Sequence, residues 1–221
     1  MISLIDLNKK GTIVIGTMRS GSNLVVSLTA KQLTELEITH QLNGEYFFDI
    51  NNGVNANRSP KYCYFNMRKH LQEIDNTNYS IGTIIYPKVK DMIAYNHETW
   101  FWCNRNFHLV KLIRKDYMAH FMSHCIFLFS KKQYGVTDIS QVRMPIPFTP
   151  TPYQINSFID SVVEVVRFPC NNIVEYEKLQ HDPVYFGTHT VKNIYNIEPK
   201  DFFANYTQVS ELLSTLKYNL V

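Results

Sequence analysis

Short apolar runs alternate with longer helical patterns along this chain. Thr12–Ile15 (TIVI) is an unbroken apolar run of strand length that stops at Gly16. From about Ser22 the period lengthens, with Leu24, Val25, Leu28 and Leu33 on one face of a helix reaching about Leu36. The alternation then recurs. Ile81–Tyr86 reads as a strand, and Pro87 opens a short helix, because proline is tolerated in a first turn. His108–Ile113 (HLVKLI) reads as a buried strand ending at Arg114, and Asp116 caps a helix running to about Phe129. Pro152 opens a helix to Arg167 whose Ile155, Phe158, Ile159, Val162, Val163 and Val166 repeat at 3.6 residues. Asn172–Tyr176 is a further short strand, and a helix covers about Val209–Lys217. Tyr64, Met67, Leu71 and Ile74 give a helical stripe over about Lys61–Ile74, whereas Trp100–Asn106 fits neither period. Strands alternating with helices predict an α/β fold with a mostly parallel sheet, covered by helices on both faces, in a single domain over residues 1–221.

Two stretches interrupt this order. Asn51–Pro60 is rich in Asn and Gly and reads as a surface loop; Ser130–Pro152 carries Pro145, Pro147, Pro150 and Pro152 and has the length of a lid or binding loop. The composition, 45% hydrophobic and 19% charged, excludes wholesale disorder. A net charge of +3 suits an anionic ligand and is too small to point to nucleic acid. The 14 Tyr and 14 Phe are read first as an aromatic core, with a sugar-binding groove second. Cys63, Cys103, Cys125 and Cys170 form no Cys-x-x-Cys, so neither a zinc site nor a disulfide framework is expected, and a cytoplasmic location is. MISLIDLNKK contains no signal-peptide core, and no apolar run is long enough to span a bilayer.

The candidate chemistry centres on Gly16-Thr-Met-Arg-Ser-Gly21, which follows the first strand and precedes a helix. Its two glycines have the G-x-x-x-x-G spacing of a phosphate-cradling P-loop. Glycine there permits positive φ and a close approach of backbone N–H groups to an anion, which the helix N-terminus also favours. A nucleoside triphosphate and its Mg²⁺ would call for Lys and Ser or Thr after the second glycine. Ser22 and Asn23 stand there instead, and the nearest cation is Arg19, so the anion is expected to be one that needs no metal. In a parallel sheet ligands bind at the carboxyl ends of strands, where this loop, Arg114 and the segment after Ile85 all fall.

Three segments together resemble the sulfotransferase superfamily that uses 3′-phosphoadenosine 5′-phosphosulfate (PAPS). Gly16–Asn23 is similar to that family's 5′-phosphosulfate loop, and Lys111-Leu-Ile-Arg-Lys-Asp-Tyr-Met-Ala-His-Phe-Met-Ser123 resembles its 3′-phosphate motif. Val174-Glu-Tyr-Glu-Lys-Leu-Gln-His-Asp-Pro183 resembles its Tyr-Glu-x-Leu…Asp-Pro signature. The resemblance implies a P-loop-type sheet and transfer of a sulfuryl group from PAPS to a hydroxyl, releasing adenosine 3′,5′-bisphosphate. It implies that Thr17, Arg19, Ser20, Gly21, Ser22 and Asn23 hold the 5′-phosphosulfate, and that Arg114 and Ser123 hold the 3′-phosphate. Arg19 would be electrostatic rather than a proton source, since a guanidinium does not readily give up its proton.

Gly44-Glu-Tyr-Phe47 resembles the turn carrying the proposed base in the bacterial branch typified by trehalose sulfotransferase, which makes Glu45 the candidate base. The vertebrate cytosolic branch uses a His instead, and His40, His97 and His108 are possible substitutes. Thr190-Val-Lys-Asn193 resembles a bacterial-branch Lys-Gln-Asn segment, so Lys192 is a second candidate cation for the 3′-phosphate. Phe202–Tyr206 fits the same branch, and Tyr176 and Glu177 are read as structural. A hydroxyl acceptor, by analogy a carbohydrate, would be selected by the segments around 47–60 and 130–152. The spacing of His120 and His124, one helical turn apart, could hold a metal, but no Glu lies between them as in a zinc-protease helix and no metal is expected. Two other readings compete: a kinase with a divergent P-loop, and a non-catalytic nucleotide-binding module.

Overall fold

The computed structural model describes residues 4–45, 78–85, 97–134, 146–180 and 197–219. Strands β1 (Gly11–Gly16), β2 (His40–Glu45), β3 (Tyr79–Ile85), β4 (His108–Ile113) and β5 (Ile173–Glu175) form one sheet in the order β2-β3-β1-β4-β5. All four pairings are parallel. The helices are α1 (Ser22–Glu35), α2 (His97–Asn106), α3 (Tyr117–Tyr134), α4 (Pro152–Arg167), α5 (Tyr176–Gln180), α6 (Pro199–Phe202) and α7 (Tyr206–Asn219). This is the expected α/β architecture, a P-loop-type parallel sheet with helices on both faces.

Central β1 is buried at every residue, between β3 (Gly16 opposite Ile85) and β4 (Thr12 opposite His108). A strand covered on both faces carries no polar alternation, which is why Thr12–Ile15 reads as a plain apolar run. On one face Val14, Val110, Leu112 and Val174 pack against Val25 and Leu28 of α1 and Tyr176 and Leu179 of α5. Helices α3, α4, α6 and α7 build a second core from Phe121, Ile126, Phe158, Val162, Phe203 and Leu213. Lys111, between Val110 and Leu112, points to the opposite face from them. Its buried ammonium donates to Val166 O (2.7 Å) and Phe168 O (2.9 Å), the last carbonyls of α4 and its C-cap. It therefore pins that helix to the sheet.

Helix ends follow their sequence signals. Thr151 and Gln154 form a capping box, Thr151 Oγ1 accepting from Gln154 N, with Pro152 in the first turn. Asp116 Oδ1 accepts from Ala119 N at 2.9 Å, at the start of α3. That helix runs to Tyr134, into the stretch expected to be loop; residues 135–145 lie outside the described residues. So do the expected helix at Lys61–Ile74, the one opened by Pro87, and Lys192. The ambiguous Trp100–Asn106 belongs to α2, and His40–Glu45 is an edge strand. Among the described residues, no helix is long and apolar enough to cross a membrane.

Candidate functional site: an arginine-bearing anion loop at the carboxyl edge

β1 ends at Gly16, and the chain turns through Gly16–Gly21 into α1. Two residues of this turn have positive φ, Arg19 (64°) and Gly21 (98°, ψ 22°). Gly21 is the N-cap of α1, without a side-chain cap and with no acidic residue in the first turn. The helix N-terminus therefore keeps its positive dipole end and free N–H groups at the loop, the requirement for holding an anion. Gly21 is also fixed by packing. A Cβ there would stand 2.4 Å from the ring atoms Cδ2 and Cε2 of Tyr176, so the loop lies directly on the tyrosine that opens α5.

Elements far apart in sequence converge on the loop. Arg114, just after β4, places its guanidinium 4.9 Å from the centre of the Tyr176 ring, and its Nη1 reaches Arg19 O at 3.5 Å. Arg19 Nε donates to Ser123 Oγ of α3 at 3.3 Å, and its guanidinium lies 5.7 Å from the Phe127 ring. Burial and the neighbouring Arg114 charge both lower the Arg19 pKa from its ordinary value. Among the described residues neither arginine meets a carboxylate; Glu175 is taken by Lys115 and Lys178, and Glu177 Oε1 accepts from Asp116 N. Two guanidiniums with no carboxylate partner among the described residues, beside a helix N-terminus with no acidic residue in its first turn, suit a multiply charged anion. Among the described residues, the fully buried Ser20 Oγ has no hydrogen-bond partner there, and neither has Arg114 Nε.

No family model matches this chain, and no curated protein matches it.

The expected site residues fall as follows. Thr17 and Ser20 are buried in the loop, Ser22 is half-buried and Asn23 is exposed on the first turn of α1. Ser123 and Arg114 do come together, with Arg19 between them: the serine contacts Arg19 rather than Arg114. Glu45 is the last residue of edge strand β2, paired with Thr83 of β3, which stands beside Val14 of β1. It is thus at the loop's edge of the sheet, two strand spacings or roughly 10 Å across from β1. His40 and His108 open β2 and β4 and so stand at the opposite, amino edge; His97 opens α2.

One residue of the site has a place that the sequence did not suggest. His120, read there only as half of a possible metal pair, is buried under the loop, with Nε2 2.9 Å from Met18 O and 3.1 Å from Thr17 Oγ1. His124 packs with it against Phe158. The only sequence signal available was a polar residue amid the apolar positions Phe121, Met122 and Cys125 of α3.

Proposed function

We propose that this chain is a PAPS-dependent sulfotransferase. The supporting observation is the contact between Arg19 of the phosphosulfate-like loop and Ser123 of the 3′-phosphate-like motif, with Arg114 bonded to the same residue. The two segments the resemblance singled out, about a hundred positions apart, form one cationic surface. In this reading the 5′-phosphosulfate lies over the loop amides, Ser22 and Asn23, while Arg114, Ser123 and Lys192 hold the 3′-phosphate. The acceptor oxygen attacks sulfur, a new S–O bond forms, and the bond from sulfur to the phosphate oxygen breaks. Glu45 takes the acceptor proton, and Arg19 stabilises the charge that grows on the departing phosphate. A sulfuryl group carries less negative charge than a phosphoryl group, so backbone donors and arginines suffice without a metal.

A hydroxyl of a carbohydrate is the proposed acceptor. The free thiols of Cys103, Cys125 and Cys170 fit a reducing, cytoplasmic compartment.

The test is isothermal titration with adenosine 3′,5′-bisphosphate and with AMP, without magnesium, on the wild type and Arg114→Ala. Micromolar binding of the bisphosphate, weak binding of AMP, and loss of the difference in the variant are expected. Equal affinity for the two nucleotides in the wild type would refute the reading, and a magnesium-dependent preference for ATP would replace it with a kinase.

A further inference from the structure

The peptide between Met18 and Arg19 is the pivot of the loop, because the residue after it takes the left-handed φ of 64°. Its carbonyl faces His120 Nε2 at 2.9 Å. A carbonyl can only accept, so Nε2 carries the imidazole proton and Nδ1 carries the lone pair. The same Nε2 lies 3.1 Å from Thr17 Oγ1, so its proton is shared between the two oxygens and the Thr17 hydroxyl proton remains available to a ligand. The ring cannot swing away. It is 1% exposed and sits edge-on to Phe158, with centroids 4.9 Å apart and planes at 86°.

A trans peptide is planar, with its C=O and N–H on opposite sides. Turning the Met18 carbonyl toward His120 therefore turns the Arg19 N–H away from α3. Without that bond the peptide could flip, reversing an amide of the cradle. We propose that His120 is a positioning residue for the anion loop: its Nε2 proton latches the Met18 carbonyl and so holds the Met18–Arg19 peptide in its anion-binding orientation. The identity of the anion rests on the sulfotransferase reading, whereas the latch rests on the geometry of the loop. Burial keeps the imidazole neutral, lowering its pKa to about 3, so His120 itself adds no charge beside Arg19 and Arg114.

The experiment uses the full chain. Two-bond ¹H–¹⁵N correlation should show the Nε2–H tautomer for His120. Adenosine 3′,5′-bisphosphate is then titrated into the wild type, His120→Gln and His120→Leu. The glutamine amide can donate where Nε2 does, so His120→Gln should bind within about 3-fold of wild type, whereas His120→Leu should bind about 30-fold more weakly, the loss of one buried donor. Both variants should unfold at similar urea concentrations, which separates positioning from a general loss of packing. If His120→Leu does not fold, His120→Asn replaces it, its amide being one methylene too short to reach. An Nδ1–H tautomer would overturn the proposal. So would wild-type affinity in His120→Leu, or His120→Gln falling as far as His120→Leu while still folded. If the wild type ignores the bisphosphate, the PAPS reading fails on its own and the series is repeated with inorganic pyrophosphate. The same ranking there supports the latch, and no ranking or no binding overturns it.

Discussion

Replacing Gly21 with alanine should disturb the loop in two separable ways. The backbone at φ 98° is left-handed, which costs an L-residue about 1–2 kcal/mol. The new methyl would also stand 2.4 Å from two carbons of Tyr176, so the ring would have to retreat by roughly 1 Å to reach a normal carbon–carbon separation. Tyr176 is buried and has the Arg114 guanidinium beside it, so the retreat is resisted, and overpacking of this kind costs about 1–3 kcal/mol. The sum is about 2–5 kcal/mol, a large share of a domain's usual stability. Urea unfolding followed by circular dichroism measures it. A double-mutant cycle with Tyr176→Leu separates the parts: removing the ring should relieve the steric share and leave the backbone share. A loss below about 1 kcal/mol for Gly21→Ala, or a cycle showing no coupling to Tyr176, would refute the contact between loop and tyrosine.

Further outcomes follow from other contacts. Lys111→Met deprives Val166 O and Phe168 O of a buried charged donor and should lower the unfolding free energy by about 2 kcal/mol or more; unchanged stability would show that the lysine does not hold α4. His120 and His124 are lowered by burial to about 3 and about 4, below the ordinary value near 6.5. Below pH 6.5 the unfolded chain therefore binds more protons than the native one, and stability falls with pH, by about 4 kcal/mol between pH 7 and pH 5 for the two together. His124→Gln should remove about half of that slope in urea titrations at the two pH values, and an unchanged slope would remove His124 from the account. Glu45→Gln should leave bisphosphate affinity within about 2-fold while transfer of ³⁵S from labelled PAPS to a panel of sugars falls by about 100-fold or more. Undiminished transfer would take the role of base from Glu45.

The elements most legible in the sequence were those in which burial imposes a simple pattern. β4 runs over His108–Ile113 and α4 over Pro152–Arg167, both as expected, because an apolar run was bounded by Arg114 and a 3.6-residue stripe opened at Pro152. β2 was not legible. His-Gln-Leu-Asn-Gly-Glu lies at the sheet edge, its Leu42 is 60% exposed, and it has no apolar face to betray it. Lys111 was hidden differently: within HLVKLI it reads as an interruption, and only the packing of α4 explains a buried ammonium there. At the site, the loop and Arg114 could be placed at strand ends from the pattern alone. The roles of His120 under Met18 and of Tyr176 under Gly21 could not, since each depends on how α3 and α5 pass the loop.

The loop residues are joined early in the chain, but their supports arrive late. Arg19 waits for Ser123, the Met18 carbonyl for His120, and Gly21 for Tyr176. A ribosome-bound chain that has released only β1 and α1 owns the glycines of the cradle without the surfaces that shape it. Contacts of such long sequence separation form slowly, and large chains pass through partly folded states on the way. Any affinity of the loop for an anion should accordingly emerge only once Tyr176 has left the ribosome, so that a ligand could aid the folding of chains at least that long and not of shorter ones.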